Sequence, residues 1–161
     1  MDPNGKKEIR LIIGLGNPLP EYQKTYHNTG HLFIDYLNNE KVDFELLKTD
    51  VYMNQSGKYI RAALKKYGLR PEEVLVVHDD SDLPLGKFRF SFGRGSAGHQ
   101  GAESVINSLG TKNFWRLRFG IRKQKGKAGE FILRPINAKD YLLLEEAFGA
   151  SQRVIFGSLT R

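Results

Sequence analysis

A short apolar run that stops at a glycine is the feature that most constrains the fold of this chain. Leu11–Ile13 is followed by Gly14-Leu15-Gly16-Asn17-Pro18, and a polar stretch containing His27 and Asn28 comes next. This order predicts a buried strand that ends in a tight turn, because glycine and the Asn-Pro pair interrupt regular structure. Ligands of open α/β sheets bind just beyond the carboxyl ends of such strands. The polar side chains after this strand are therefore candidate functional residues.

Apolar runs and helical periodicities alternate along the rest of the chain. Val74–Val77 is apolar at every position, which is typical of a strand buried on both faces of a sheet. The other predicted strands cover Glu8–Ile13, Val42–Leu47, Lys87–Phe92 and Phe114–Ile121, with Ile132–Pro135 extended and a hairpin-like excursion between Leu85 and Phe92. The predicted helices cover Gly30–Leu37, Lys58–Tyr67, Ala102–Leu109, Asp140–Phe148 and Ser151–Phe156. The alternation predicts a single α/β domain with a central twisted sheet, mixed but mostly parallel, flanked by helices on both faces.

Length and composition narrow the class of protein. The length of 161 residues favours one domain that spans residues 1–161. No apolar run is long enough to cross a bilayer, and nothing before the first predicted strand resembles a signal peptide. Cysteine is absent, which excludes disulfides, thiolate zinc sites and a cysteine nucleophile. We therefore expect a protein of the reducing cytoplasm.

The charge balance bears on the kind of partner. The chain has 25 Lys and Arg against 18 Asp and Glu, a formal net charge of +7. Such an excess on a small domain favours a polyanionic partner, with nucleic acid first. It equally fits a surface charged for solubility, so the net charge alone leaves both interpretations open.

The candidate functional side chains cluster in polar segments at predicted strand ends and helix starts. If the strand before Gly14 and the strand Val74–Val77 are neighbours, His27 and Asp79 can meet, and a histidine held by a carboxylate is a general base. Neutral amides such as Asn17 and Asn54 can donate to a developing oxyanion without adding charge. The candidates are Asn17, Tyr22, His27, Tyr52, Met53, Asn54, Asp79, His99 and Gln100. No strong nucleophile stands among them, which favours base-assisted attack by water over covalent catalysis.

Three other patterns in the sequence bear on alternative kinds of site. Gly14 and Gly16 lack the third glycine of a dinucleotide fingerprint. The segment His78–Asp82 is acidic, but its carboxylates are adjacent and no second cluster has metal-ligand spacing, so we expect no metal and no cofactor. The segment Gly93–Gly101 fits a phosphate cradle or a merely flexible loop.

The ordered set of polar segments resembles the bacterial-type peptidyl-tRNA hydrolase family over nearly the whole chain. The matching segments are Gly14–Pro18, Tyr22, Thr25–Gly30, Tyr52–Gly57, Val76–Pro84, Gly86, Gly93–Gly101, Leu109–Thr111 and Phe114–Ile121. The resemblance implies a monomeric enzyme that cleaves the ester between a peptide and the 3′ ribose of tRNA without a metal. It also implies His27 as the catalytic base, Asp79 as its support, Asn17 and Asn54 as contacts to the peptidyl part, and Tyr22 and Tyr52 at the tRNA 3′ end.

The chain departs from the family pattern at several positions. Tyr26 stands where an arginine is usual, Leu19 where a glycine is usual, and Gln100 where an asparagine is usual. The segment from Leu37 to Tyr52 is shorter than in the family. A family lysine that meets tRNA phosphate falls near Ser91, and Arg118 matches a phosphate-contacting arginine.

Basic residues supply the predicted contacts to tRNA phosphates. They are Arg89, Arg94, Arg118, Arg122, Lys123, Lys125 and Lys127. The leading hypothesis is therefore a peptidyl-tRNA hydrolase. The alternative is a non-catalytic RNA-binding module on the same scaffold.

Overall fold

A five-stranded sheet forms the centre of the protein. The structure is a computed structural model that describes residues 8–123 and 131–156. The strands are β1 Leu11–Gly14, β2 Glu45–Lys48, β3 Val74–Pro84, β4 Phe88–Phe92 and β5 Trp115–Arg122, in the spatial order β2-β1-β3-β5-β4. Only the β4–β5 pair is antiparallel among the described strands. The predicted α/β class with a mixed, mostly parallel sheet is confirmed.

Helices cover both faces of this sheet. They are α1 Thr29–Asn38, α2 Ser56–Tyr67, α3 Gln100–Leu109 and α4 Ala138–Phe156. The helices α1 and α4 pack on the face that carries Ile12 and Leu117. The helices α2 and α3 pack on the face that carries Ile13 and Val76. Because β1 and β3 are apolar at successive positions, both of their faces contribute to a core.

The first turn of α1 lies directly against the sheet. A Cβ atom at Gly30 would collide with the carbonyl oxygen of Val77 and with the backbone of Leu15. Only glycine permits this approach of helix to strand. The contact fixes the start of α1, and with it the segment just before the helix that carries His27.

The strand β3 is longer than the sequence predicts. The predicted strand stops at Val77, whereas β3 continues through the acidic segment to Pro84. The extension pairs with β5, with an irregular register between Asp80 and Pro84. Strand pairing has therefore placed Asp79 within a strand, not in a loop after it.

The boundaries of other helices and strands also differ from the predicted ones. The helices α2 and α3 each begin two residues before their predicted starts, at Ser56 and Gln100. The two predicted C-terminal helices form one helix, α4, because Gly149 does not interrupt it. The predicted hairpin-like excursion is the edge strand β4, which pairs with β5. Among the described helices, none is long and apolar enough to span a membrane.

Backbone hydrogen bonds join the segment that carries His27 to the residues just before α4. Residues 131–134 form a turn, and Pro135 pairs with Thr25 in an antiparallel bridge. The backbone N–H of His27 donates to the carbonyl of Ile132 at 2.7 Å, and that of Ile136 donates to Lys24 at 2.8 Å. We call residues 131–136 the strap, since their backbone holds the segment that carries His27.

Candidate active site

His27 and Asp79 meet at the carboxyl end of the sheet. His27 lies in the short 3₁₀ helix Tyr26–Asn28, which follows β1 and leads into α1. Asp79 lies in β3, the parallel neighbour of β1. The Nδ1 atom of His27 is 2.9 Å from Oδ2 of Asp79, and both residues are buried. The predicted approach of these two side chains follows from the pairing of β1 with β3.

His99 holds the other oxygen of the same carboxylate. Its Nε2 atom is 2.8 Å from Oδ1 of Asp79. Its Nδ1 atom accepts a hydrogen bond from the backbone N–H of Ala102 at 3.1 Å, which caps α3. A nitrogen that accepts carries no proton, so His99 is a neutral ring that donates from Nε2 to Asp79.

The hydrogen bonds also define the state of His27. An ionised carboxylate only accepts, so Nδ1 of His27 donates to Asp79. Its Nε2 atom then carries the lone pair of the neutral ring and has no partner among the described residues. This is the arrangement that a general base requires, with one nitrogen held and the other open to a proton.

The charges reinforce this arrangement. Burial alone lowers the pKa of His27, but the charge of Asp79 and the hydrogen bond to it outweigh burial and raise that pKa above 6.5. Burial alone raises the pKa of Asp79, but the two histidines hold that pKa well below its usual range. Asp79 therefore stays ionised at neutral pH and strengthens His27 as a base.

The same three residues form the one group of described side chains that could hold a metal ion. Their potential ligand atoms on His27, Asp79 and His99 lie within 4.8 Å of one another. Hydrogen bonds already join both imidazoles to the carboxylate. A metal at Nε2 of His99 would have to displace the proton that this nitrogen carries. The donor set therefore fits proton handling better than metal binding.

Asn17 has the oxygen of its side-chain amide fixed by the backbone. Its Oδ1 atom accepts the backbone N–H of Met53 at 2.9 Å, and its backbone is tied to the side chain of Asn28 by two hydrogen bonds. The acceptor end of the amide is thereby fixed, and Nδ2 donates to nothing among the described residues. Met53 itself is buried in the core, so its link to the site runs through its backbone.

Asn54 and Gln100 line a separate cavity of about 420 Å³, which we call the amide cavity. Both side chains are exposed, and neither hydrogen-bonds to the His27–Asp79 pair. The rest of the lining is Ser96, Gly98, Glu103, Ser104 and Asn107. Tyr52 is 47% exposed and Tyr22 is half-buried, so both rings present surface to solvent.

Two arginines of β5 lie on the same face of the sheet. Arg116 and Arg118 alternate with Leu117 and Phe119 along β5, so the arginines share a face. Arg116 is the register partner of Val76, which places it on the face that carries α2 and α3. There the loop after β4 lies beside the sheet, and Arg116 donates to the carbonyl of Gly95 in that loop.

The antiparallel strand β4 completes a cationic cavity. It places Arg89 opposite Arg118 and Ser91 opposite Arg116. Together with Arg94 from the loop, these side chains line a cavity of about 520 Å³. No carboxylate lines it. A cavity of this size and charge can accept phosphate groups.

Three buried polar atoms at this cavity have no partner among the described residues. They are Nη1 of Arg116, Nε of Arg118 and Oγ of Ser91. Arg116 is only 1% exposed, and burial together with the charge of Arg118 lowers the pKa of its guanidinium to about 10. A buried cation without a carboxylate partner is costly unless an anion binds to it. Arg116 is not among the site residues predicted from the sequence, although the alternation of arginines with apolar residues is visible there.

A small cleft connects the parts of the site. It has a volume of about 60 Å³ and is lined by Asp79 and His99. It shares Arg118 with the cationic cavity and Gly98 with the amide cavity. Asp79 and His99 therefore lie between the cationic cavity and the amide cavity.

The remaining predicted phosphate contacts differ in position. Arg122 ends β5 with an exposed side chain. Lys123 is also exposed, but its Nζ pairs with Asp140 at 2.9 Å. Lys125 and Lys127 lie outside the described residues.

The other two histidines have structural partners, with His78 buried and His31 half-buried. His78 donates from Nδ1 to the carbonyl of Asp79 at 2.7 Å. Burial above all, together with the nearby His99 ring and the charge of Arg116, holds the pKa of His78 well below 6.5. Burial lowers the pKa of His31 to about 4, and its ring bonds to the hydroxyl of Thr49. Both rings are therefore neutral at neutral pH.

Comparison with known proteins assigns a family to this arrangement. A family model described as peptidyl-tRNA hydrolase matches residues 11–45 and 37–160. A peptidyl-tRNA hydrolase of Lactobacillus helveticus is 36% identical over 91% of this chain and 91% of its own length. The enzyme of the same name from Aquifex aeolicus is 36% identical over 94% of this chain and 91% of its own length.

Solved structures agree with this comparison. The crystal structure of peptidyl-tRNA hydrolase from Acinetobacter baumannii matches with a TM-score of 0.80 and 28% identity, over 96% of this chain and 93% of that one. A hydrogenase maturating endopeptidase of Escherichia coli matches with a TM-score of 0.55 at 15% identity, over 93% of each chain. The second similarity shows the fold alone.

Proposed function

The chain belongs to the peptidyl-tRNA hydrolase family, and on this premise we propose that it hydrolyses the ester between a peptide and the 3′ ribose of tRNA. The observation that carries the proposal is the orientation of His27. Its Nδ1 is held by Asp79, and its Nε2 is left open. The products are a free peptide carboxylate and a free tRNA.

His27 acts as the general base in this proposal. Its Nε2 removes a proton from a water molecule as that water attacks the ester carbonyl. Asp79 stabilises the imidazolium that forms, and His99 keeps the carboxylate of Asp79 in place. When the intermediate collapses, the imidazolium returns the proton to the 3′ oxygen of the ribose, which leaves as a hydroxyl.

Neutral amides stabilise the oxyanion of the tetrahedral intermediate. Asn17 is suited to this role, because Met53 fixes its acceptor end and leaves Nδ2 to donate. Asn54 lies in the amide cavity together with Gln100, and we assign both to the peptidyl part of the substrate. Amide and hydroxyl side chains suit an uncharged peptide better than they suit phosphates.

The cationic cavity receives tRNA phosphates. Arg89, Arg94 and Arg118 line it, as three of the predicted phosphate contacts. Its position next to Asp79 and His99 places the bound phosphates beside the reacting ester. Exposed Tyr52 and half-buried Tyr22 offer rings to the unpaired bases of the tRNA 3′ end.

The test is a comparison of two substrates. We expect the protein to cleave an N-acetylaminoacyl-tRNA in a single-turnover reaction and to leave the free aminoacyl-tRNA intact, with EDTA present in both. Tight binding of both tRNAs without cleavage would contradict the proposal. That outcome would instead support the non-catalytic RNA-binding module.

Salt dependence tests the phosphate contacts separately. The logarithm of the tRNA association constant falls with the logarithm of salt concentration, by about 0.7–0.9 for each phosphate neutralised. We expect Arg118→Gln to reduce this slope by about one contact, roughly 0.7–0.9. The measurement is filter binding of deacylated tRNA between low and moderate salt.

A matched variant controls for net charge. Lys65 is exposed on α2, away from the cavity, and Lys65→Gln removes the same charge. We expect its salt slope to equal that of the wild type. Equal slopes for Arg118→Gln and the wild type would exclude Arg118 from phosphate binding.

A further inference from the structure

A buried hydrogen bond is made by the residue that precedes the base in the chain. The hydroxyl of Tyr26 donates to Oδ2 of Asp140 at 2.5 Å, and both residues are almost fully buried. Burial and the hydrogen bond to Asp140 raise the pKa of Tyr26, so its hydroxyl remains a donor at neutral pH. Tyr26 directly precedes His27 in the chain.

Asp140 ties this tyrosine to the start of α4. Its backbone N–H donates to the side chain of Asn137 at 2.8 Å, and Nδ2 of Asn137 donates back to the carboxylate at 3.3 Å. These bonds satisfy donors in the first turn of the helix. The hydrogen bond from Tyr26 therefore joins the segment that carries the base to the N-terminus of α4.

Lys123 completes the group. Its Nζ is 2.9 Å from Oδ2 of Asp140 and 5.8 Å from the centre of the Tyr26 ring. Lys123 directly follows β5, so the group connects three parts of the fold. We call Tyr26, Asp140 and Lys123 the Tyr26 cluster.

The strap contacts Tyr26 and His27 and continues along the chain into α4. The backbone N–H of Tyr26 donates to Arg134, and that of His27 donates to Ile132. The ring of Phe131 packs edge-on against the Tyr26 ring, with centroids 5.5 Å apart. The strap leads directly into α4, which the carboxylate of Asp140 holds against Tyr26.

From these contacts we propose that the Tyr26 cluster positions the catalytic base. It holds the strap in register with residues 24–27, and the strap in turn holds the backbone of His27. This inference rests on the proposed function, because it takes His27 as the base. Tyr26 and Asp140 touch neither substrate nor base side chain, so they are positioning residues.

The assignment gives Lys123 an internal partner. Its ammonium group is matched by the carboxylate of Asp140. Arg118 also has an acidic partner, Asp80, but Arg118 lines the cationic cavity and Lys123 does not. Lys123 then contributes to kcat through Asp140 and not to tRNA affinity through a phosphate. The two roles make opposite predictions for the same variant.

The test separates kcat from substrate binding. We expect Tyr26→Phe to lower kcat about tenfold, since small displacements of a catalytic group are costly. KM and the affinity for deacylated tRNA should stay within twofold of the wild type. Asp140→Ala should lower kcat at least as much, and Asp140→Asn should lose less, because its amide oxygen still accepts from Tyr26.

The double variant identifies a shared mechanism. Tyr26→Phe combined with Asp140→Ala should be no slower than Asp140→Ala alone, because both changes remove the same hydrogen bond. A merely structural loss would lower the melting temperature without this pattern in kcat. Tyr36→Phe is the matched control, since the Tyr36 hydroxyl makes no hydrogen bond among the described residues and its ring packs on Phe148.

Three outcomes would overturn the inference: kcat of Tyr26→Phe within twofold of the wild type, additive losses in the double variant, or a Lys123→Met variant with normal kcat and a reduced salt slope. If Tyr26→Phe does not fold, Asp140→Asn and Lys123→Met test the same cluster. Normal cleavage by Tyr26→Phe beside an inactive His27→Ala would remove the inference and leave the proposed function intact. Absence of cleavage by the wild type would instead remove the proposed function.

Discussion

The His27→Ala variant is expected to lose turnover almost completely while it still binds tRNA. General-base catalysis contributes about 10²–10⁴-fold to such reactions, so the single-turnover rate should fall by at least that range. In the proposed complex the tRNA phosphates bind in the cationic cavity, which His27 does not line. The affinity for deacylated tRNA should therefore change by less than about threefold. Rapid quench of an N-acetylaminoacyl-tRNA and filter binding measure the two quantities.

A second histidine provides the control. His31 lies one turn further along, in α1, where its Nε2 bonds to Thr49 and its ring packs against Gly16. His31→Gln keeps a hydrogen-bonding group there and leaves His27 and Asp79 in place. We expect it to retain turnover within a few-fold of the wild type. Full hydrolysis by His27→Ala would remove His27 from the role of base.

The central part of this site was accessible from the sequence for a physical reason. Apolar runs at Leu11–Ile13 and Val74–Val77 mark strands buried on both faces, and such strands are parallel neighbours in α/β folds. The carboxyl ends of parallel neighbours lie at the same edge of the sheet. The meeting of His27 with Asp79 followed from that pairing once it was assumed.

Contacts between distant segments were not accessible in the same way. The extension of β3 to Pro84 depends on pairing with β5, and no local pattern in the acidic segment marks it. The bond from His99 to Asp79 requires the loop after β4 to fold back onto β3. Tyr26 stands where the family usually has an arginine, and the sequence alone indicates no partner for this tyrosine. The structure shows that Asp140 is its hydrogen-bond partner.

The cationic cavity shows an intermediate case. Arg116 and Arg118 alternate with Leu117 and Phe119 along β5, so this strand has a basic face and an apolar face. The sequence did not indicate which face of β5 other parts of the chain would cover. Arg116 became a candidate only when the described residues left its Nη1 without a partner.

The Asp79→Asn variant is expected to lower turnover strongly and to change its pH dependence. The carboxylate keeps the proton of neutral His27 on Nδ1 and stabilises the imidazolium, and an amide does neither reliably. We expect the maximal rate to fall by about 10²–10³-fold, less than the loss in His27→Ala. The measurement is the single-turnover rate as a function of pH.

The direction of the pH change follows from the causes of the pKa shift. In the wild type, Asp79 outweighs burial and raises the pKa of His27 above 6.5, so activity should increase as pH rises through that raised value. The charged form of His27 stabilises the fold below 6.5, and this stabilisation is lost as pH rises through the raised pKa. In Asp79→Asn only burial remains to shift the pKa, and burial lowers it. The rising limb of the rate profile should therefore move to lower pH, although the maximal rate is smaller.

A neighbouring carboxylate distinguishes this effect from a general change in charge. Asp82 lies in the same strand with an exposed side chain, and Asp82→Asn removes an equal charge without touching His27. We expect its pH profile and maximal rate to match those of the wild type. If the rising limb of the Asp79→Asn rate profile stays in place or moves to higher pH, Asp79 does not set the pKa of the base.

His99 also bonds to Asp79, so the His99→Gln variant tests a second contact of the same carboxylate. It should shift the rising limb less than Asp79→Asn does, because the carboxylate that raises the pKa of His27 is still present.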